Sequence, residues 1–424
     1  MKNRAKILWI LSFLLLTGFG FFLWEYVNYA ASWASFPGTP HISGSATVTD
    51  RSGVILTGTE DALLRRATVH WIGDRQGNIR IPAVDYKRQF DLVNGLYSYG
   101  GFCPKIRLTL HAELQKAALS ALGESRGTVA VLNYQTGELL CAVSNPTFDP
   151  ENMGETVESM FFNRFTQGLY TPGSIFKLVT LGAALEEGVV AENSAYVCTG
   201  SLSFGKNRVT CAAPHGRQTV GEAFRNSCNC AFGKMALDLG GEKLSFYCEK
   251  FGITKEVLFD GIATPPGYYE KAASVDLAWS GAGQFTTRIN PCSFLSFVGA
   301  VANGGVRVNP YVIGRVEEGG ETLYSPGRPS GERILSQETA EKLQSYLRSN
   351  VRDKYGDSHF AHLTVGAKTG TAEVGGEKPN AMLCGFVLDG KYPLAFLICV
   401  EEGGYGEKTC LPIAGKLLKM LVEN

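Results

Sequence analysis

The spacing of hydrophobic positions changes along this chain, and the changes divide it. Residues 7–24 form an apolar run broken only by Ser12, Thr17, Gly18 and Gly20. From 31 to 105 the chain is polar and Gly-rich, with no long apolar period; Asp50 to Leu56 reads as a turn followed by a strand. From Ile106 the pattern strengthens. Leu114, Ala117, Ala118, Ala121 and Leu122 recur at helical spacing behind Thr109 and stop near Gly123. Apolar runs at 127–132 and 139–143 flank a turn at 133–137, which predicts a hairpin. Helical spacing dominates between 174 and 300, including Ile175 to Leu185, which ends at Gly188. Strand-like runs return at 306–308, 311–313, 382–388 and 394–400, and Ile413, Leu417, Leu418 and Leu421 mark a closing helix. Strands at both ends with helices between them predict an α+β domain, an antiparallel sheet covered by helices. The expected division is 1–30 as a short tail and transmembrane anchor, 31–105 as a small pedestal, and 106–424 as the main domain.

Charge narrows the partners. The chain has 424 residues with 40 basic and 40 acidic side chains, so it lacks the basic surplus of a nucleic-acid binder. Lys2, Arg4 and Lys6 precede the apolar run, and Trp9 and Trp24 sit near its two ends. Residues 7–24, at helical rise, span roughly 27 Å, enough to cross a bilayer. Basic residues on the N-terminal side put that end in the cytoplasm, which predicts a single-pass membrane protein with its main domain outside. A cleaved signal peptide is the rival, but Ser32-Trp33-Ala34 is a poor cleavage site well past the run.

The eleven cysteines are an odd number, so at least one thiol is free or pairs with another chain. Cys198 and Cys211 flank a Gly-rich segment that reads as a hairpin, and they are the disulfide candidate. Cys228 and Cys230 are too close in sequence for a good bridge. No CxxC is matched by a second CxxC or HxxxH at zinc spacing, and His359 and His362 read as a surface turn, so no metal site is expected. Most cysteines read as small buried hydrophobes.

Three short motifs carry possible chemistry. Ser174-Ile175-Phe176-Lys177 follows the turn residues Pro172 and Gly173 at a helix start. Residues three apart on a helix are neighbours, so the Lys177 nitrogen can reach the Ser174 oxygen, and a buried lysine can take the serine proton. The same spacing occurs in Ser203-Phe204-Gly205-Lys206, inside the Gly-rich hairpin. Ser227-Cys228-Asn229 falls between two helical stretches, where a hydroxyl and a carboxamide can point into one cleft. Lys368-Thr369-Gly370-Thr371 precedes the strand-like run at 382–388. There Gly370 leaves room for a substrate backbone, and Lys368 and Thr369 can meet a carboxylate. Taken singly, each has an ordinary alternative: an N-terminal helix serine, a helix cap, an exposed turn.

Taken together and in this order, the three motifs resemble those of penicillin-binding proteins, specifically the monofunctional, membrane-anchored class B members. The likeness continues in Leu108-Thr109-Leu110 with Leu114 and Gln115, in Gly127 to Glu138, in Ser144-Asn145-Pro146, and in Asn163-Arg164. It extends through Cys198 to Gly216, Gly281 to Gln284, and Ala302 to Gly305, and more loosely to Arg51-x-Gly53 and His70-x-Ile72-Gly73. His111 departs from it, standing where the family often has an acidic residue.

The resemblance implies a serine D,D-transpeptidase without a cofactor. Ser174 would attack the penultimate D-Ala carbonyl of a peptidoglycan stem peptide, expel the terminal D-Ala, and pass the acyl group to a neighbouring amine. Lys177 and Ser227 would move protons. Asn229, Lys368, Thr369, Gly370 and Thr371 would hold substrate, with the Ser174 and Thr371 amides forming the oxyanion hole. β-Lactams would acylate Ser174. The implied partners are stem peptides, β-lactams, the membrane and a separate membrane glycan polymerase. A carboxypeptidase, a membrane-tethered serine β-lactamase or β-lactam sensor, and a non-catalytic activator of a polymerase stay open at this stage.

Overall fold

The structure is a computed structural model that describes residues 2–34, 47–74, 78–79, 105–327, 330–373 and 378–423. Residues 35–46, 75–77 and 80–104 of the expected pedestal lie outside the described residues.

The architecture is set by five strands that hydrogen-bond in the order Val365–Ala372, Asn380–Val387, Leu394–Val400, Gly127–Asn133 and Leu139–Asn145. Every neighbouring pair is antiparallel. Nearly all of their side chains are buried, because helices cover both faces. This explains the continuous apolar runs in the sequence, where a half-exposed strand would alternate. Val129, Val131, Leu383, Phe396 and Ile398 face Leu114, Leu119, Leu411 and Leu417 of helices Ala112–Leu122 and Gly406–Glu423. Ala130, Leu132, Met382, Cys384 and Leu397 face the other core, which contains Phe176, Phe232, Phe294 and Phe297 from the inserted helices. The expected α+β arrangement is therefore present.

Some local expectations shift. Asp50 to Leu56 does contain the turn, but its strand reduces to a single bridge between Thr49 and Ile55. The reason is that Asp50 folds the loop back on itself: its carboxylate accepts from the Ser52 and Val54 amides at 2.7 and 2.9 Å. The other Asp50 oxygen accepts from the Ala112 amide at 3.0 Å, at the start of the first domain helix. His111 serves as the N-cap of that helix, its Nδ1 facing the Leu114 amide at 3.4 Å.

A helix not expected from sequence, Ala62–Ile72, docks here. Trp71 Nε1 donates to the Ala142 carbonyl at 2.6 Å, and Arg65 makes a two-pronged pair with Asp149 at 2.7 and 2.6 Å. Burial pushes His70 down to about 4, so the ring is neutral and its Nε2 donates to the Met160 carbonyl at 2.8 Å. Strands Thr47–Thr49 and Lys105–Leu108 also share a sheet with Ile313–Glu318 and Glu321–Tyr324. The described part of the N-terminal segment is thus joined to the main domain by backbone pairing as well as side chains.

Lys2–Ala34 is one helix of 33 residues, exposing Trp9, Phe13, Leu15 and Trp24. Among the described residues no helix is long and apolar enough to cross a membrane. The expected span begins at Ile7 and Leu8, whose side chains lie outside the described set.

Candidate active site

The first motif lies on a turn whose backbone is tightly constrained. Gly173 has φ +54, a left-handed conformation that favours glycine. A Cβ there would come within 2.4 Å of the Thr371 carbonyl oxygen, so the turn and the edge strand Val365–Ala372 meet backbone to backbone. The Gly173 amide donates to Gly283 O at 2.9 Å, and a Cβ on Gly283 would collide with Gly173 O. The helix expected to open at Ser174 opens instead with a 3₁₀ turn, Gly173–Phe176, followed by the α-helix Lys177–Glu186. A 3₁₀ turn eclipses residues i and i+3, which stacks Lys177 on Ser174 more directly than α geometry would.

Lys177 Nζ lies 2.7 Å from Ser174 Oγ, 2.8 Å from Asn229 Oδ1 and 3.4 Å from Ala282 O. Burial pushes this lysine down to about 7, against a smaller opposite pull from the Cys211 and Cys228 thiols. A neutral amine has two N–H donors and one lone pair. In the charged form Nζ donates to Ser174 Oγ; in the neutral form, donors to Asn229 and Ala282 leave the lone pair for the Ser174 hydroxyl. The arrangement can remove a proton from a serine.

The second motif forms a tight loop between helices Val220–Arg225 and Asn229–Leu239. Ser227 has φ +55, strained for a residue with a side chain. Its Oγ accepts from Lys368 Nζ at 3.2 Å, not from Lys177. Asn229 is engaged at both ends, accepting from Lys177 and donating through Nδ2 to the Thr210 carbonyl at 2.9 Å.

The third motif lies on the edge strand. Lys368 is buried and is held well below the usual lysine range by burial and then by repulsion from Lys177. It also donates to Thr369 O at 2.8 Å. Gly370 has a reason within the fold besides the one expected: a Cβ there would sit 3.0 Å from both Pro172 O and Ile175 Cγ2, so the missing side chain admits the first-motif turn. All three motifs converge on one place, with Lys368 and Asn229 as the links.

The cysteine expectations need correction. Cys198 and Cys211 are not bridged; both are free thiols, because each sulfur has turned to another neighbour. Cys198 Sγ faces Ala213 O at 3.8 Å, while Cys211 Sγ faces Cys228 Sγ at 3.8 Å and His215 Nδ1 at 3.5 Å. The absence of zinc spacing in the sequence does not carry over to space, since Cys198, Cys211, His215 and Cys228 bring their ligand atoms within 4.8 Å of one another. By contrast Cys141, Cys248, Cys292, Cys384, Cys399 and Cys410 are buried as expected.

Residues 127–419 match the family model of the penicillin binding protein transpeptidase domain. The chain belongs to that family. Stage V sporulation protein D of Bacillus subtilis is 32% identical over 286 residues, 63% of this chain and 43% of that protein. Peptidoglycan D,D-transpeptidase PbpA of Mycolicibacterium smegmatis is 26% identical over 358 residues, 75% of this chain and 71% of that one. The chain thus spans less than half the length of the sporulation protein. Among solved structures, the D,D-transpeptidase domain of an Eggerthella lenta peptidoglycan glycosyltransferase superposes with a TM-score of 0.78 at 25% identity. It covers 89% of this chain and 98% of the solved one.

Sequence reasoning missed one further neighbour in this transpeptidase domain. Tyr355 ends a π-helical turn, Val351–Tyr355, that continues helix Gln337–Asn350. Its hydroxyl lies 2.9 Å from Thr369 Oγ1 and accepts from the Thr369 amide at 3.2 Å. A single tyrosine after a helix has no local pattern to mark it. Its role appears only once the edge strand is placed beside it.

Proposed function

We propose that the protein is a serine D,D-transpeptidase that cross-links peptidoglycan stem peptides through an acyl-enzyme on Ser174 and is acylated by β-lactams. The observation that carries this reading is the buried Lys177 nitrogen 2.7 Å from Ser174 Oγ, inside a transpeptidase-family domain. In the proposed sequence Lys177 takes the Ser174 proton as Oγ attacks the carbonyl. The amides of Ser174 and Thr371 hold the resulting oxyanion. Ser227 and Lys368 return a proton to the departing D-Ala nitrogen, and the acceptor amine retraces the path. Lys368 and Thr369 receive the substrate carboxylate, Asn229 and Gly370 line its backbone, and Tyr355 fixes Thr369.

We infer the division 1–30, 31–105 and 106–424 for anchor, pedestal and catalytic domain, with the N-terminus cytoplasmic. It is supported by Lys2, Arg4 and Lys6 in the first turns of a helix that then exposes Trp9, Phe13, Leu15 and Trp24. A membrane glycan polymerase is the proposed partner, supplying strands for cross-linking; co-purification from detergent extracts tests it.

The test of function is a stem pentapeptide ending in D-Ala-D-Ala, incubated with an acceptor stem and the full chain in detergent. Released D-Ala with an equal amount of cross-linked dimer supports the transpeptidase. Release without dimer indicates a carboxypeptidase, and rapid hydrolysis of added penicillin a β-lactamase. No release and no penicillin adduct would leave the non-catalytic activator.

A further inference from the structure

The four-residue cluster beside the second motif is not used by the reaction above. Its parts come from four separate places: Cys198 ends strand Ala195–Cys198, Cys211 follows strand Asn207–Thr210, His215 precedes strand Gly216–Thr219, and Cys228 caps helix Asn229–Leu239. Among the described residues, backbone bonds tie the first three of these pieces to one another, but not to the second-motif loop. The His215 amide donates to Cys198 O at 3.1 Å, and the Cys211 amide to Gly200 O at 2.9 Å.

Two independent features point to a ligand. The first is spacing. Tetrahedral zinc with bonds of about 2.3 Å to sulfur and about 2.0 Å to nitrogen places sulfurs about 3.8 Å apart and sulfur and nitrogen about 3.5 Å apart. The Cys211–Cys228 and Cys211–His215 separations are 3.8 and 3.5 Å. A disulfide would instead need the sulfurs at about 2.05 Å. The second is the surrounding hydrogen bonds. The Asn229 amide donates to Cys211 Sγ at 3.3 Å and the Ala231 amide to Cys228 Sγ at 3.4 Å. Amide donors aimed at sulfur are what thiolate ligands take as their outer support.

We propose that Cys198, Cys211, His215 and Cys228 form a structural zinc site that clamps the strands 195–219 to the second-motif loop. Each thiol gives its proton to solvent as it binds, the imidazole binds neutral, and no electron moves. The clamp has work to do, because in those four strands only Cys198, Val209 and Gln218 are buried. Such a subregion has little buried apolar contact of its own, with Tyr196 and Leu202 only partly buried against the core. It is Thr210 that holds the Asn229 carboxamide, and Cys228 separates Ser227 from Asn229. The site therefore sets the geometry of two motif residues without touching substrate.

The test uses the full chain in detergent, purified with reductant and without chelator, and counts zinc by elemental analysis. One zinc per chain is expected, falling below one tenth in Cys198→Ser and in His215→Ala. Cobalt(II) added to the metal-stripped parent should give tetrahedral visible bands with thiolate charge transfer, weakened in Cys198→Ser. Should those variants fail to fold, chelating the parent serves instead: it should slow penicillin acylation about 10- to 100-fold while the far-UV spectrum is retained. Zinc in the parent no higher than in His215→Ala, or a Cys211–Cys228 disulfide in zinc-loaded parent protein, would overturn the proposal. Metal content is read without substrate, so its failure is distinct from failure of the transpeptidase reading.

Discussion

The chain contains the spacing Ser-x-x-Lys at 174–177 and again at 203–206, and the two regions have little else in common. Ser203 ends up exposed on strand Ser201–Phe204, with Lys206 in the solvent-exposed hairpin turn that follows. Ser174 lies in a 3₁₀ turn wedged between Gly283 and the edge strand, with Lys177 fully buried beneath it. Spacing by itself therefore does not bring the lysine onto the serine in a buried setting. What makes the first pair chemically capable is desolvation, which lowers the lysine, and eclipsed geometry, which aims it.

The largest expected effect separates the two serines. Ser174→Ala should lower penicillin acylation about a millionfold, whereas Ser203→Ala should leave the rate unchanged. Stopped-flow labelling of both variants checks this, and equal losses would erase the distinction. Next come the lysines: Lys177→Met should cost about 10²- to 10⁴-fold in acylation rate and Lys206→Met nothing, read in the same assay.

The pH profile sharpens the comparison further. Lys177 must be unprotonated to accept the Ser174 proton, and burial holds it at about 7. Acylation should therefore be slow below that value, rise through about 7 and level off above it, and Lys177→Met should lose this rise. A rise centred near the ordinary lysine value would contradict the desolvation argument. Ser227→Ala should slow the reaction about 10²-fold, measured as D-Ala release, since Lys368 then loses its hydroxyl partner.

The smallest effect is structural. Gly370→Ala puts a methyl 3.0 Å from Pro172 O and Ile175 Cγ2 and should destabilise the domain by about 1–3 kcal/mol, measured by urea unfolding. An unchanged midpoint would show that the edge strand can move away from the first-motif turn.

How much of this was legible in the sequence follows from where the information resides. The central strands were readable because burial on both faces makes them continuous apolar runs, as in Leu394–Val400. The motifs were readable because each is contiguous. Helix Ala62–Ile72 was not, since Arg65, Arg66, Thr68 and His70 break its apolar period, although His70 and Thr68 are buried through their own hydrogen bonds. The contacts between motifs were equally hidden. Lys177 to Asn229 spans 52 positions and Lys368 to Ser227 spans 141, so no local pattern encodes them. The cysteine–histidine cluster escaped for the same reason, because its ligands come from four loops and strand ends and match no short metal spacing.

The central claim is that Ser174, made reactive by Lys177, carries the acyl group. It is tested most directly by incubating the full chain with benzylpenicillin and mapping the adduct by peptide mass spectrometry over hours. One long-lived penicilloyl group is expected on the peptide containing Ser174, absent from Ser174→Ala. An adduct that persists in Ser174→Ala, or none in the parent protein, would contradict it.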